Sequence, residues 1–171
     1  MAKPTAREKL ARTKHEKKVR LESDFAGVKA GQMLFVATPQ IVDRYIRKIP
    51  YGEHRTVPGM RREMARRNSC DASCPVSTSI FVRISAEAAL EALDDGAPES
   101  EIAPFWRILR PDDKSTKRLP IDPDWIADRR KLEGIVLGVF ARYQPSELAA
   151  LVVAQRGNGT VCHFVTLQIA K

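Results

Sequence analysis

Apolar positions recur at helical spacing in four places along the chain. Ile41, Val42, Tyr45 and Ile46, with Ile49 just beyond, stand three and four residues apart and predict one buried stripe on a helix from Pro39 to Lys48. Thr38-Pro39 in front of it supplies an N-cap and a proline at the first helical position, where a missing N–H costs nothing. Val57, Met60 and Met64 give the inward face of a second helix, from Val57 to about Arg67, which Thr56 can cap. Ile80, Phe81, Ile84 and Ala88 make the apolar side of a long alanine-rich helix that follows Cys74-Pro75 and runs to about Leu93, with Ser77 or Thr78 as its cap. Asp122-Pro123 opens another helix through Trp125, Ile126 and Leu132, closed at Gly134.

Shorter signals lie between these helices. Gly27 to Gly31 is a turn-like break, and Met33 to Ala37 reads as a short strand or an extended lead-in. Pro50 and Gly52 enforce a turn, Asn68 to Ser73 is a connector, and Arg110 to Pro120 is a polar loop. Beyond Gly134 come an apolar run from Ile135, a helix after Pro145, and a β-branched strand from Thr160 to Ile169. The pattern predicts a mainly α fold with a small β component. Its organisation is a basic, flexible arm over 1–30, a folded domain over 31–134 and a C-terminal extension over 135–171.

Charge sharpens the picture. The 171 residues carry a net charge of +8, which suits an anionic partner: nucleic acid first, an acidic membrane or protein second. Residues 1 to 24 are dense in lysine and arginine and poor in apolar residues, so they read as a phosphate-contacting arm or as a solvated tail. Arg61, Arg62, Arg66 and Arg67 rim the second helix, as a phosphate grip or as a solvated face. Two amphipathic helices on a short connector, the first rimmed with arginines, match a helix-turn-helix arrangement. No apolar run approaches the roughly 20 residues of a membrane span. The N-terminus lacks a signal-peptide pattern, and cysteines are few, which together predict a cytoplasmic protein, nucleoid-associated in a bacterium.

Candidate chemistry is sparse. Cys70-x-x-x-Cys74 lacks the usual two-residue spacing and a neighbouring second pair, so no metal site is expected, and no cofactor motif is present. Cys74 precedes a helix N-terminus, where exposed amides favour a thiolate. It reads as a reactive thiol, or as a small buried residue packing a turn. Trp106 beside Arg107 could stack on a base, and of the Phe105 and Trp106 rings one is expected to be buried and the other partly exposed.

Four segments, in order, carry a family likeness: Ile49-Pro50-x-Gly52 with Thr56 and the helix to Ala65; the helix after Cys74-Pro75; Pro104-Phe105-Trp106-Arg107-Ile108; and Leu132-Glu133-Gly134. From about Met33 to Gly134 the chain resembles the O6-alkylguanine DNA alkyltransferase DNA-binding domain family, and more closely its alkyltransferase-like branch, which lacks the acceptor cysteine. The resemblance implies a winged helix-turn-helix-like domain on double-stranded DNA, with a repair protein as a further partner. The family's Pro-Cys-His-Arg-Val has Phe105 at the acceptor cysteine and Trp106 at its activating histidine, so the resemblance implies recognition of alkylated or otherwise damaged DNA without alkyl transfer. Carried over, Thr56, Arg61, Arg62, Arg66, Ser77, Thr78, Arg83 and Arg107 would contact DNA. Pro104, Phe105 and Trp106 would line the lesion pocket, with the Cys74 helix entering the groove. Val57 replaces the family's tyrosine, the asparagine hinge is missing, and Arg83 is the sole base of the recognition helix. Two other readings stay open: a thiol-dependent DNA alkyl acceptor or other enzyme using Cys74, and an RNA- or protein-binding adaptor on the same fold.

Overall fold

The computed structural model describes residues 3–134; the helix and strand expected after Gly134 lie outside them. The described residues form helices α1 (Ala6–Ala11), α2 (Pro39–Arg47), α3 (Val57–Arg67), α4 (Pro75–Asp94) and α5 (Pro123–Leu132), with strands β1 (Lys17–Arg20), β2 (Met33–Val36) and β3 (Ala72–Ser73). This is a helical fold with one small three-stranded sheet.

Local chemistry sets the helix starts. Thr38 accepts the Ile41 amide at 3.2 Å, Thr56 the Gly59 amide at 3.1 Å and Asp122 the Asp124 amide at 3.0 Å, each with a proline in the first turn. Each such cap satisfies an amide that the helix itself cannot and contributes about 1 kcal/mol. The fourth case is different. The N-cap of α4 is Cys74, with no side-chain cap bond, so the expected caps Ser77 and Thr78 lie inside the helix instead. Pro75 explains the shift: its fixed φ already suits the first helical position, and the helix starts there rather than at the hydroxyls.

In the sheet, β1 pairs antiparallel with β2, Lys17 opposite Val36 and Arg20 opposite Met33, while β3 runs parallel to β2 with Leu34 beside Ala72. All four residues of β1 are exposed, so this edge strand is held by its backbone ladder rather than by a buried face.

The core is organised around α4. Phe81, Val82, Ile84, Ser85, Ala86, Ala88, Ala89 and Leu90 are all buried, a run that covers every side of the helix. The expected one-sided apolar stripe is therefore corrected: Ile80, assigned to it, is exposed, and the middle of α4 is enclosed by α1, α2 and the turn at Phe105–Arg107. Small side chains make this possible, because alanine lets neighbouring helices approach closely. A buried hydrogen bond from Ser85 to Asp43 (2.7 Å) ties α4 to α2, and Asp43 also receives Arg47.

The stretch read as an arm over 1–30 contains a docked helix and a paired strand. The Glu91 carboxylate of α4 accepts the Ala6 amide at 2.7 Å and the Arg7 amide at 2.9 Å, and Arg7 also pairs with Asp95. A six-residue helix has no stability of its own, so α1 exists because α4 supplies its N-terminal acceptor. The described residues thus make one compact unit, without a boundary at residue 30.

Candidate nucleic-acid interface

Three of the four segments that carry the family likeness meet at one carboxylate. Glu133 accepts hydrogen bonds from Arg107 Nε (2.8 Å), Arg107 Nη2 (2.9 Å), Trp106 Nε1 (2.7 Å) and the Gly52 amide (3.3 Å). Arg107 also donates to the Ile49 carbonyl at 2.7 Å, and the Tyr51 hydroxyl to the Leu132 carbonyl at 3.2 Å. Residues 49–52, 104–107 and 132–133 therefore form a single hydrogen-bonded unit. Gly52 is at φ +76°, a left-handed conformation that favours glycine, and this turns its amide onto Glu133. Burial pushes the Glu133 carboxyl up, but the hydrogen bonds from Arg107, Trp106 and Gly52 outweigh it and hold the group below the ordinary carboxylate value.

This unit is structural. Arg107, expected on DNA, spends its guanidinium on Glu133 and Ile49. Pro104, Phe105 and Trp106, expected to line a lesion pocket, are all buried. Phe105 has no exposed surface and Trp106 only 3%, so the expectation of one open ring is corrected. The reason lies in α5: Trp125 stacks on Phe105 with centroids 5.5 Å apart, and Trp106 meets both rings edge-on at 5.6 Å. Arg130 completes the seal by donating to the carbonyls of Trp106 (2.8 Å) and Leu109 (3.2 Å).

Two more assigned arginines are engaged within the protein. Arg61 Nε donates to the Ser73 carbonyl at 3.2 Å, tying α3 to β3. Arg83 is half-buried in an ion pair with Glu87 at 3.3 Å. By contrast Arg62 and Arg66 are exposed and join no ion pair among the described residues, and Thr56 is exposed where it caps α3. Arg55, just ahead of Thr56, donates its amide to the Arg107 carbonyl at 2.8 Å, so the start of α3 hangs from the Glu133 unit.

Sequence reasoning missed a groove of about 350 Å³ between α2 and α3. Its apolar wall includes Ile41, Ile49 and Met64, and its cationic rim is Arg44, Lys48, Arg55 and Arg67. The one carboxylate, Glu63, is occupied: it accepts the Tyr45 hydroxyl at 2.5 Å and pairs with Arg67. Burial, and then the hydrogen bond to Glu63, push the Tyr45 phenol up to about 12, so it stays a donor at neutral pH. The Tyr45 hydrogen bond in turn lowers the Glu63 carboxyl, against the opposing effect of burial and with help from Arg67. The clue available beforehand was spacing: Arg44 and Lys48 on α2, and Glu63 and Arg67 on α3, are each four apart and so share a face.

Cys74 is buried, with its amide on the Phe35 carbonyl at 2.8 Å. The hydroxyls of Ser73, Ser77 and Thr78 around it are buried without a hydrogen-bond partner. Ser77 and Thr78, assigned to DNA, thus face inward, and Cys74 fits the packed-turn reading. Among the described residues no group of three metal-ligating side chains converges, and no helix is long and apolar enough to cross a membrane.

No protein-family model, no curated protein and no solved structure matches the chain.

Proposed function

We infer that this protein binds double-stranded DNA as an alkyltransferase-like protein, recognising alkylated or otherwise damaged DNA without transferring the alkyl group. The observation that carries the reading is the convergence of residues 49–52, 104–107 and 132–133 on Glu133, with α3 suspended from it. These three segments are far apart in the chain, and each is one of the four that carry the likeness. In this reading α3 and α4, joined through β3, are the two helices of a winged helix-turn-helix-like unit. Thr56, Arg62 and Arg66 hold phosphates. The exposed part of α4 is its start, where Val76 and Ile80 are 48% and 43% accessible; these apolar side chains would wedge into a minor groove. With Phe105 and Trp106 sealed in the core, damage is read through the deformability of the duplex rather than on an aromatic platform.

The test is fluorescence anisotropy on a duplex with and without O6-methylguanine, over a range of salt. The logarithm of the affinity should fall steeply with log[salt], and Arg62→Ala should reduce the slope by about 1. Binding indifferent to salt would sink the reading, as would equal or tighter binding to structured RNA or heparin at physiological salt. Intact-mass measurement after incubation should show no added methyl group. A methyl adduct that disappears in Cys74→Ser would make the protein a thiol-dependent acceptor instead.

A further inference from the structure

The groove between α2 and α3 has features that a phosphate-contacting surface alone does not need. It is a recess of about 350 Å³ rather than a flat cationic face, and that volume lies at the lower end of the range for small-ligand sites. Its two sides differ in chemistry. Ile41, Ile49, Pro50 and Met64 give an apolar wall, and the Tyr45 ring lines the groove beside them. Arg44 on α2 and Lys48 at its C-cap lie about one helical turn apart and form no ion pair among the described residues. Arg55 and Arg67 also line the groove but are paired, Arg55 with Glu53 and Arg67 with Glu63, so Arg44 and Lys48 carry its uncompensated charge. Asn68, which also lines the groove, donates its side-chain amide to the Met64 carbonyl at 2.8 Å, which leaves its Oδ1 as a further acceptor.

We propose that this groove binds a single nucleotide, its phosphate held by Arg44 and Lys48 and its base laid against Tyr45 and the apolar wall. A bare phosphate would leave the apolar side unused, and an uncharged ring would leave the cations unpaired. A nucleoside phosphate satisfies both, through charge-assisted hydrogen bonds at one end and ring packing at the other. The Asn68 oxygen can accept from an exocyclic amino group of the base. Whether the nucleotide arrives free or as an unpaired residue of a DNA strand, the groove chemistry is the same. The site does not depend on the duplex-binding reading, because Arg62 and Arg66 do not line it.

The experiment is an amide NMR titration, with calorimetry, of the full chain with dGMP, with deoxyguanosine, and with a short single-stranded oligodeoxynucleotide. Saturable dGMP binding that shifts Tyr45, Met64 and Asn68 is expected. It should weaken roughly tenfold or more without the phosphate, and again in Arg44→Ala/Lys48→Ala. Both side chains are exposed, so that variant should keep the wild-type melting curve. Binding of the oligonucleotide alone, at the same residues, also supports the site and identifies a strand as its source. The proposal is overturned if neither ligand binds, if the shifts fall elsewhere, or if the double variant binds as tightly as wild type. Arg62→Ala/Arg66→Ala separates the two readings: it should weaken duplex binding and leave dGMP binding unchanged.

Discussion

Replacing Glu133 by glutamine tests the unit that joins three distant segments. The substitution keeps the shape but removes the charge, and it places an amide N–H₂ opposite at least one of the donors Arg107 and Trp106. The Arg107 and Glu133 side chains are only 14% and 7% exposed, so water cannot replace the lost partner. Removing one member of a buried ion pair costs about 3–5 kcal/mol, most of it from stranding the other charge. Glutamine retains one acceptor, so the lower end applies. A loss of about 3 kcal/mol corresponds to a fall of about 10 °C in Tm for a chain of this size. Urea unfolding followed by circular dichroism measures it directly. The double variant Arg107→Met/Glu133→Leu, which strands no charge, should cost clearly less than the sum of the single variants. A loss below about 1 kcal/mol for Glu133→Gln, or strict additivity in that cycle, would refute the reasoning.

The pH dependence follows from the same carboxylate. Its folded pKa lies below its unfolded value, so its stabilisation is complete above the unfolded value of about 4.3 and is lost as pH falls through the folded one. Wild type should therefore lose stability more steeply than Glu133→Gln in acid, and parallel curves between pH 7 and pH 3 would contradict the assignment. Glu91→Ala should undock α1 while sparing the core: trypsin should cut after Arg7 and Lys9 much faster, with little change in the main unfolding transition. Gly52→Ala forces an L-residue into φ +76° with its Cβ 3.4 Å from the Glu133 carbonyl oxygen, and should cost about 1 kcal/mol in urea unfolding.

What the sequence made legible was local. The caps Thr38, Thr56 and Asp122 act within three residues of themselves, and α3 has the predicted bounds because Thr56, Pro58 and the Met60–Met64 spacing all act at short range. The role of α4 was hidden, since an alanine-rich helix with serines and threonines looks the same whether nucleic acid or other helices will approach it. Only the placement of α1, α2 and the 105–107 turn decides between these. The docking of α1 rests on Glu91, which lies more than 80 residues away, and nothing in a lysine-rich segment announces that acceptor. The aromatic seal was invisible for the same reason: Trp125 belongs to a later helix, and its stack on Phe105 converts a supposed pocket into core. The α2–α3 groove needed both helices to be laid side by side before its cations could be counted together.

The position of Glu133 carries a consequence for how the chain can be divided. Its neighbours Leu132 and Gly134 are exposed, so hydrophobic burial gives no reason to keep the chain beyond Leu132. Hydrogen bonding says otherwise. A fragment ending at Leu132 would keep the whole of α5 but leave the Arg107 guanidinium, the Trp106 indole and the Gly52 amide without their common acceptor. One ending at Gly134 would keep them all. A single acid just past α5 thus separates two fragments that differ by two residues, and they should differ in whether the 49–52 turn is ordered.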